Sequence, residues 1–302
     1  MTRAEADVPF CALASAEAGE PLVATAAAET DRWIVLEERH GWAPKPLGSE
    51  GLAEPVRARL AAWLDDLPRA RLQLIRRPDR CDGPLRLYLG RSGDAAPWLL
   101  AFDLGSHEEL LELDVPEVLS SGSHPRAHVV RSPVHLVCTH GKRDRCCAKW
   151  GVPVHQALCR AAGVEHVWQT THTGGHRFAA NVISLPHGVT YGRLEPGEAE
   201  ALVEAHRRGL LHDLARLRGR TCHDAPTQAA EHFVRERLGE RRLEALRHLG
   251  TEPLGEARFR VRFGLDGVTH TIDVACEDTG QRRPKSCGDA PVPVERWRPL
   301  SP

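Results

Sequence analysis

The 302-residue chain has no apolar run of the roughly 18–20 residues that a membrane helix needs, so no membrane span is expected. Its first twenty residues, MTRAEADVPFCALASAEAGE, contain no continuous apolar core of a secretory leader, which points to the cytoplasm. There is no excess of either charge: 40 basic side chains face 41 acidic ones. A nucleic-acid or anionic-membrane partner is therefore not expected, since both call for a basic field. Lysine is scarce, with 4 against 36 arginines, a bias that fits a GC-rich bacterial genome. The cysteines lack the even count and density of a secreted disulfide framework, being nine, at 11, 81, 138, 146, 147, 159, 222, 276 and 287. No Cys-x-x-Cys occurs, which places a thiol oxidoreductase using Cys146 or Cys147 last among the functional readings. A chain of this length and 41% apolar content is globular, with two or three domains.

What is present is a repeated order of elements. In the first half, 33–39 reads as a strand, 52–66 as a helix with proline in its first turn, and 71–77, 85–90 and 97–104 as strands, with a turn at 91–94. In the second half, 134–140 is strand-like and 152–162 helical, stopped by Gly163. Residues 164–171, 181–185 and 189–194 are strand-like, and 195–209 closes the unit as a helix. The expected fold is α/β, two thioredoxin-like β-α-β-β-β(-α) halves. Residues 1–130 and 131–210 form these domains, and 211–302 a helical and β-hairpin extension. Residues 210–250 read as helical and charged, 259–276 as a hairpin, and the proline-rich end as an extended strap.

Two short stretches concentrate chemistry. CTHGKRDRCCAKW (138–150) holds three cysteines, and THTGGHRFAAN (171–181) holds His172 and His176. They follow successive parallel strands, whose C-terminal ends share one edge of a sheet, where ligand sites form. Cys138, Cys146, Cys147, His172 and His176 can thus converge. Two thiolates and two imidazoles suit zinc, or a [2Fe-2S] cluster with two histidines on one iron. Eight residues separate Cys138 from Cys147, longer than a zinc knuckle, and Gly141, Gly174 and Gly175 permit close approach to a larger core. Cys146 is an alternative to Cys147, but neighbours on one helical turn face different ways. Without a metal, the four residues would be core thiols and polar loop histidines. Cys159 reads as core. Cys11, Cys81, Cys222, Cys276 and Cys287 read as packing or surface thiols without a nameable partner. His135, His140 and His187 read as structural or exposed, and Trp150 and Trp168 as packing residues. Arg143, Asp144 and Arg145 read either as a solvated loop tip or as groups supporting the site or docking a redox partner.

The pattern Cys138, eight residues, Cys147, twenty-four residues, His172, three residues, His176 resembles the sucrase/ferredoxin-like family in its bacterial branch. The likeness is strongest over about residues 132–195 and reaches weakly to Gly19-Glu20-Pro21-Leu22. It implies a thioredoxin-like ferredoxin domain with a bis-histidinyl [2Fe-2S] centre for electron transfer, held by Cys138, Cys147, His172 and His176, with an unknown redox partner protein. The family label mentions sucrase, but no carboxylate pair among the 41 acidic residues argues for glycoside hydrolysis. The function expected is a non-enzymatic, proton-coupled electron carrier. A structural zinc protein using the same ligands is the alternative. The first half carries no equivalent Cys/His set; its loop HGWAPKPLG is metal-poor, and this half is expected to be a degenerate structural copy.

Overall fold

A computed structural model describes residues 9–27, 29–78 and 82–300. Cys81 lies outside the described residues. Helix α1 (Cys11–Glu17) comes first, followed by strand β1 (Arg32–Glu37), helix α2 (Glu54–Asp66) and strands β2 (Ala70–Arg76), β3 (Leu85–Arg91) and β4 (Trp98–Leu104). Helix α3 (Val115–Ser121) and the short β5 (His128–Val129) end the first half. The second half repeats the plan with β6 (Val134–Cys138), α4 (Arg145–Ala162), β7 (Val167–Thr170), β8 (Val182–Leu185), β9 (Val189–Tyr191) and α5 (Ala199–Arg207). Then come β10 (Leu217–Arg220), α6 (Ala225–Leu238), β11 (Arg247–Gly255), β12 (Arg258–Leu265), β13 (Val268–Pro284) and β14 (Pro291–Pro299).

Ten of these strands make one sheet in the order β10-β9-β8-β6-β7-β2-β1-β3-β4-β5. Within each half the order is fourth, third, first, second: β4-β3-β1-β2 and β9-β8-β6-β7. The first two strands are parallel and joined through a helix, and the third is antiparallel to the first. Both halves are thus thioredoxin-like α/β units, matching the expected duplication. They meet where β2 pairs antiparallel with β7, with Ile75 opposite Thr170 and Arg76 opposite Gln169. The central strands bury both faces, which is why WIVLE and VHLVC read as continuous apolar runs rather than alternating ones.

One core packs α2 and α3 on the first half, and a second packs α4 and α5 on the second half. A third is shared, gathering Trp33, Val35, Ile75 and Tyr88 with Leu136, Trp168 and Ile183. Within the C-terminal extension β10 joins the edge of the ten-stranded sheet beside β9, and the rest forms a separate antiparallel sheet, β11-β12-β13-β14, on which α6 packs through Ala230 and Val234.

Three local expectations are corrected. Helix α4 begins at Arg145, not 152. Asp144 caps it by accepting the Cys146 N–H at 2.8 Å, and Pro153 lies inside it. The stretch 210–250 holds a strand, α6 and the start of β11 rather than continuous helix. The tail beyond residue 280 is in large part the paired strand β14, not only a strap.

Candidate metal centre

Strand β6 ends at Cys138, and Cys147 sits in the first turn of α4 directly above it. The helix comes close because residue 151 is glycine. A Cβ there would stand 2.1 Å from the Cys138 carbonyl oxygen. Both thiols are buried, Cys138 at 1% exposure and Cys147 at 0%. Beyond β7 the chain turns through His172, Gly174 and Gly175, the glycines at φ +98° and +68°, a region that strains any residue with a Cβ. This returns His176 beside His172, the two imidazole rings parallel within 13° and 3.9 Å apart. Cys147 Sγ lies 3.8 Å from Nδ1 of both His172 and His176, and Cys138 Sγ 4.0 Å from His172 Nδ1. The donor atoms of Cys138, Cys147 and His172 all lie within 4.8 Å of one another, a group that can hold a metal. The structure therefore brings the four expected residues together. Cys146, on the same helical turn, faces the other way.

Hydrogen bonding from Cys147, and then from His172, holds Cys138 well below the usual thiol range against the effect of burial. The same bond, with burial, pushes Cys147 up. Burial, and then His172, pushes His176 down to about 4, so its imidazole is neutral and its Nδ1 available to a metal. His172 is half-buried and His176 buried.

Several supporting residues were not legible in the sequence. Arg218 donates from Nη1 to the Gly174 carbonyl at 3.0 Å and to Asn181 Oδ1 at 2.7 Å, while Asn181 Nδ2 donates to the Gly175 carbonyl at 2.9 Å. Together they clamp the loop between the histidines. Arg218 is wholly buried, which pulls its guanidinium down to about 9. Arg71, from the first half, donates to the His172 carbonyl at 3.1 Å and lies close enough to Cys138 to feel its charge. His140 Nδ1 accepts the His172 N–H at 3.2 Å, and Trp42 of the loop HGWAPKPLG packs edge-on against the His140 ring. Glu20 pairs with Arg177 at 2.6 Å, docking the Gly19–Leu22 stretch beside His176. The signal for Glu20 was present in that stretch; Arg71 and Arg218 carry none, because an arginine that folding draws inward looks like any other in the sequence.

Other expectations fare variously. His135 is structural, bonded to Ser184 at 2.9 Å, and Trp168 packs in the shared core. Asp144 is not a solvated loop tip but a buried cap at 5% exposure. Cys11 and Cys287 are not partnerless: their sulfurs stand 3.5 Å and 3.4 Å from Cys146 Sγ. Cys222 lies with Asp94 and His223. Among the described residues, no helix is long and apolar enough to cross a membrane.

Comparisons with known proteins give one relative, one solved structure and one family. A 78-residue stretch is 36% identical to altered inheritance of mitochondria protein 32 of Meyerozyma guilliermondii, over 23% of this chain and 28% of that protein. The match thus spans well under two thirds of this curated relative. A crystal structure of a variant of the thioredoxin-like [2Fe-2S] ferredoxin from Aquifex aeolicus aligns over 28% of this chain and 96% of its own, at 19% identity and a TM-score of 0.25. The sucrase/ferredoxin-like family model matches residues 25–219, more than half of the sequence, running from the β1 half through the paired thiols and imidazoles to β10, and the chain belongs to that family.

Proposed function

We propose that this protein is an electron carrier holding one [2Fe-2S] cluster through Cys138, Cys147, His172 and His176. The observation that carries the reading is the convergence of two buried thiols and two parallel imidazoles at one edge of the sheet, in a member of this family. When bound, the cluster supplies one-electron chemistry, and its two histidines place the potential above the roughly −400 mV of all-cysteine plant-type centres.

The chain's own residues do the rest. Cys138 and Cys147 would hold the cluster as thiolates, so loading would release thiol protons. His172 and His176 present Nδ1 to the thiols, leaving each Nε2 to hold a proton. His172, the more exposed of the two, would give the site its opening to solvent, the contact that proton-coupled electron transfer requires. Arg71 and Arg218 offset the negative charge of the site. A redox partner docks beside Gly174 and Gly175, which line an open cleft with Arg177, Phe178 and Trp297. The described cysteines form no disulfides, which suits a reducing compartment such as the cytoplasm.

A single zinc ion in the same four ligands is the second reading, favoured by the sulfur–nitrogen distances of 3.8–4.0 Å. Donors on one tetrahedral zinc stand about 3.6 Å apart. A two-iron core asks for a wider gap between the thiolate and imidazole pairs, which the Gly174–Gly175 turn is placed to provide.

Anaerobic purification with iron, sulfide and zinc analysis decides. Two irons and two sulfides per chain are expected. Cys138→Ser and Cys147→Ser should lose both, and Cys146→Ser should keep them. Protein free of iron, with a zinc that leaves on Cys138→Ser, would sink the cluster and support the second reading. For the proton coupling, the midpoint potential should fall as pH rises from about 6 to 10; a flat profile would remove it.

A further inference from the structure

On the far side of helix α4 from the paired histidines lies a second group of donors that the function above leaves unused. Cys11 of helix α1, Cys146 of helix α4 and Cys287 of the turn between β13 and β14 bring their sulfurs into a triangle. Its sides are 3.5 Å (Cys11 to Cys146), 3.4 Å (Cys146 to Cys287) and 3.7 Å (Cys287 to Cys11). Asp144 completes the group, its Oδ1 3.5 Å from Cys287 Sγ. All four donor atoms lie within 4.8 Å of one another. We propose that Cys11, Cys146, Cys287 and Asp144 form a second metal site, distinct from the histidine-bearing one, that takes a single zinc ion and staples three distant segments of the chain together.

The geometry favours an ion over a disulfide. A bonded sulfur pair stands about 2.05 Å apart and excludes the third thiol. Here three sulfurs are nearly equidistant. Thiolates bound to one tetrahedral zinc at about 2.3 Å stand about 3.8 Å apart, a few tenths of an ångström from the observed sides. Three thiolates select a soft or borderline ion, and carboxylate is an accepted fourth ligand of zinc. The group is also built rather than incidental. Cys146 is 0% exposed and Cys11 2%. Asp144 is oriented from three directions, accepting the Cys146 N–H at 2.8 Å on Oδ1, and the Ser286 hydroxyl at 2.6 Å and the Cys287 N–H at 3.0 Å on Oδ2. This is the outer support that metal-binding carboxylates normally carry. Three thiolates and a carboxylate around a divalent ion leave a net negative charge. Arg145 and Lys149 stand nearby to offset it, 4.2 Å and 4.4 Å over the ring of Phe10, next to Cys11.

The site gives the C-terminal turn a reason to cross the molecule. Residues 286 and 287 leave their own sheet to bond Asp144, and α1 packs its Cys11 and Ala12 against Cys146 and Ala179. Because Cys146 and Cys147 are adjacent on one helix, an ion on Cys146 also fixes the rotation of the turn that presents Cys147. The second site would thus position a ligand of the first without touching it.

The test uses the full chain, grown with both iron and zinc. One zinc per chain is expected in addition to whatever the first site holds. Cys287→Ser and Cys11→Ser should lose that zinc equivalent and keep their iron, whereas Cys138→Ser should lose iron and keep the zinc. Cobalt loaded into the native chain in place of zinc should give thiolate-to-cobalt absorption, and this absorption should persist in Cys138→Ser and vanish in Cys287→Ser. The native-chain spectrum does not depend on any variant folding. The proposal is overturned if zinc remains in Cys287→Ser and Cys11→Ser, or if it leaves with Cys138→Ser. It is also overturned if the native chain carries no zinc and its intact mass shows Cys146 in a disulfide. Because iron and zinc are read separately, loss of the cluster reading and loss of the staple are distinguishable.

Discussion

Arg71 and Glu231 show how much this fold asks of single charges drawn away from solvent. Arg71 reaches from the first half to the carbonyl of His172 and lies within the field of Cys138. A cation beside a redox centre stabilises its reduced, more negative state. Arg71→Met should therefore lower the midpoint potential by tens of millivolts, while Arg71→Lys, which keeps the charge, should move it less. Equal shifts in the two variants would mean that Arg71 acts through packing alone. Glu231 tests the fold rather than the site. It is buried with Arg220 at 2.8 Å and Arg235 at 2.8 Å, and His223 lies at 3.6 Å. Burial opposes its charge, but Arg220, Arg235 and His223 outweigh it and pull the carboxyl down to about 2. A carboxylate whose pKa is lower folded than unfolded stabilises the fold above its unfolded value near about 4.3. That contribution is lost as pH falls through about 2. Urea unfolding should show stability declining between about pH 5 and 2, and Glu231→Gln should flatten that limb and cost about 3–5 kcal/mol at neutral pH. An unchanged acid limb in Glu231→Gln would assign the acid sensitivity elsewhere.

Helix α4 is the element on which both donor groups depend. Its first turn carries Cys146 and Cys147, and Gly151, one turn on, lets it touch the end of β6. The Cys138 carbonyl oxygen would lie 2.1 Å from any added Cβ, with backbone rather than a flexible side chain in the way. Gly151→Ala must push the helix off the strand, separating Cys147 from Cys138. It should lower stability by roughly 1–3 kcal/mol or more, the usual cost of overpacking, and sharply reduce iron content. Full iron loading with an unshifted urea midpoint would show that the helix can slide without cost. The same helix shows what a sequence reveals and what it hides. The eight-residue spacing and the two glycines between the histidines were visible, and so was the end of the helix at Gly163. Its start was not, because Pro153 imitates a first-turn proline. The true cap, Asp144, sat among charged residues that read equally as a loop. The duplicated halves were legible because their strands are continuously apolar. The pairing of β14 with β13 was not, since its register of alternating proline and charged residues is that of an exposed edge. The triangle of sulfurs was invisible for a simpler reason. Cys11, Cys146 and Cys287 are separated by 135 and 141 residues, and only the folded chain relates them.

At the scale of the whole molecule, the question is whether the first half, whose described residues hold no counterpart to the second half's Cys/His set, is a partner or a passenger. Its sheet continues that of the second half through β2 and β7, and removing it would bare the β7 edge as an unpaired template for aggregation. It also shares a core. Trp168, fully buried, donates its indole N–H to the Tyr88 hydroxyl at 3.2 Å, and Trp33, Val35, Ile75 and Leu99 pack against Leu136, Ile183 and Leu185. Exposing such side chains costs about 1.5–3 kcal/mol each, enough for a few to exceed the stability of an ordinary domain. The segment before β1 contributes as well. Thr25 accepts from Arg218 Nε at 3.1 Å, Glu20 anchors Arg177, and Cys11 meets Cys146. A fragment beginning at residue 131 would therefore lose the sheet neighbour of β7, the Thr25 and Glu20 contacts that brace Arg218 and Arg177, and the Arg71 bond to His172 together. It should be recovered as aggregate, or as soluble protein that gives up its iron many times faster than the full chain when challenged with a chelator. Gel filtration and timed iron release measure both. A monodisperse fragment that holds iron as long as the intact protein would show that the two halves, though joined in one sheet, are energetically independent.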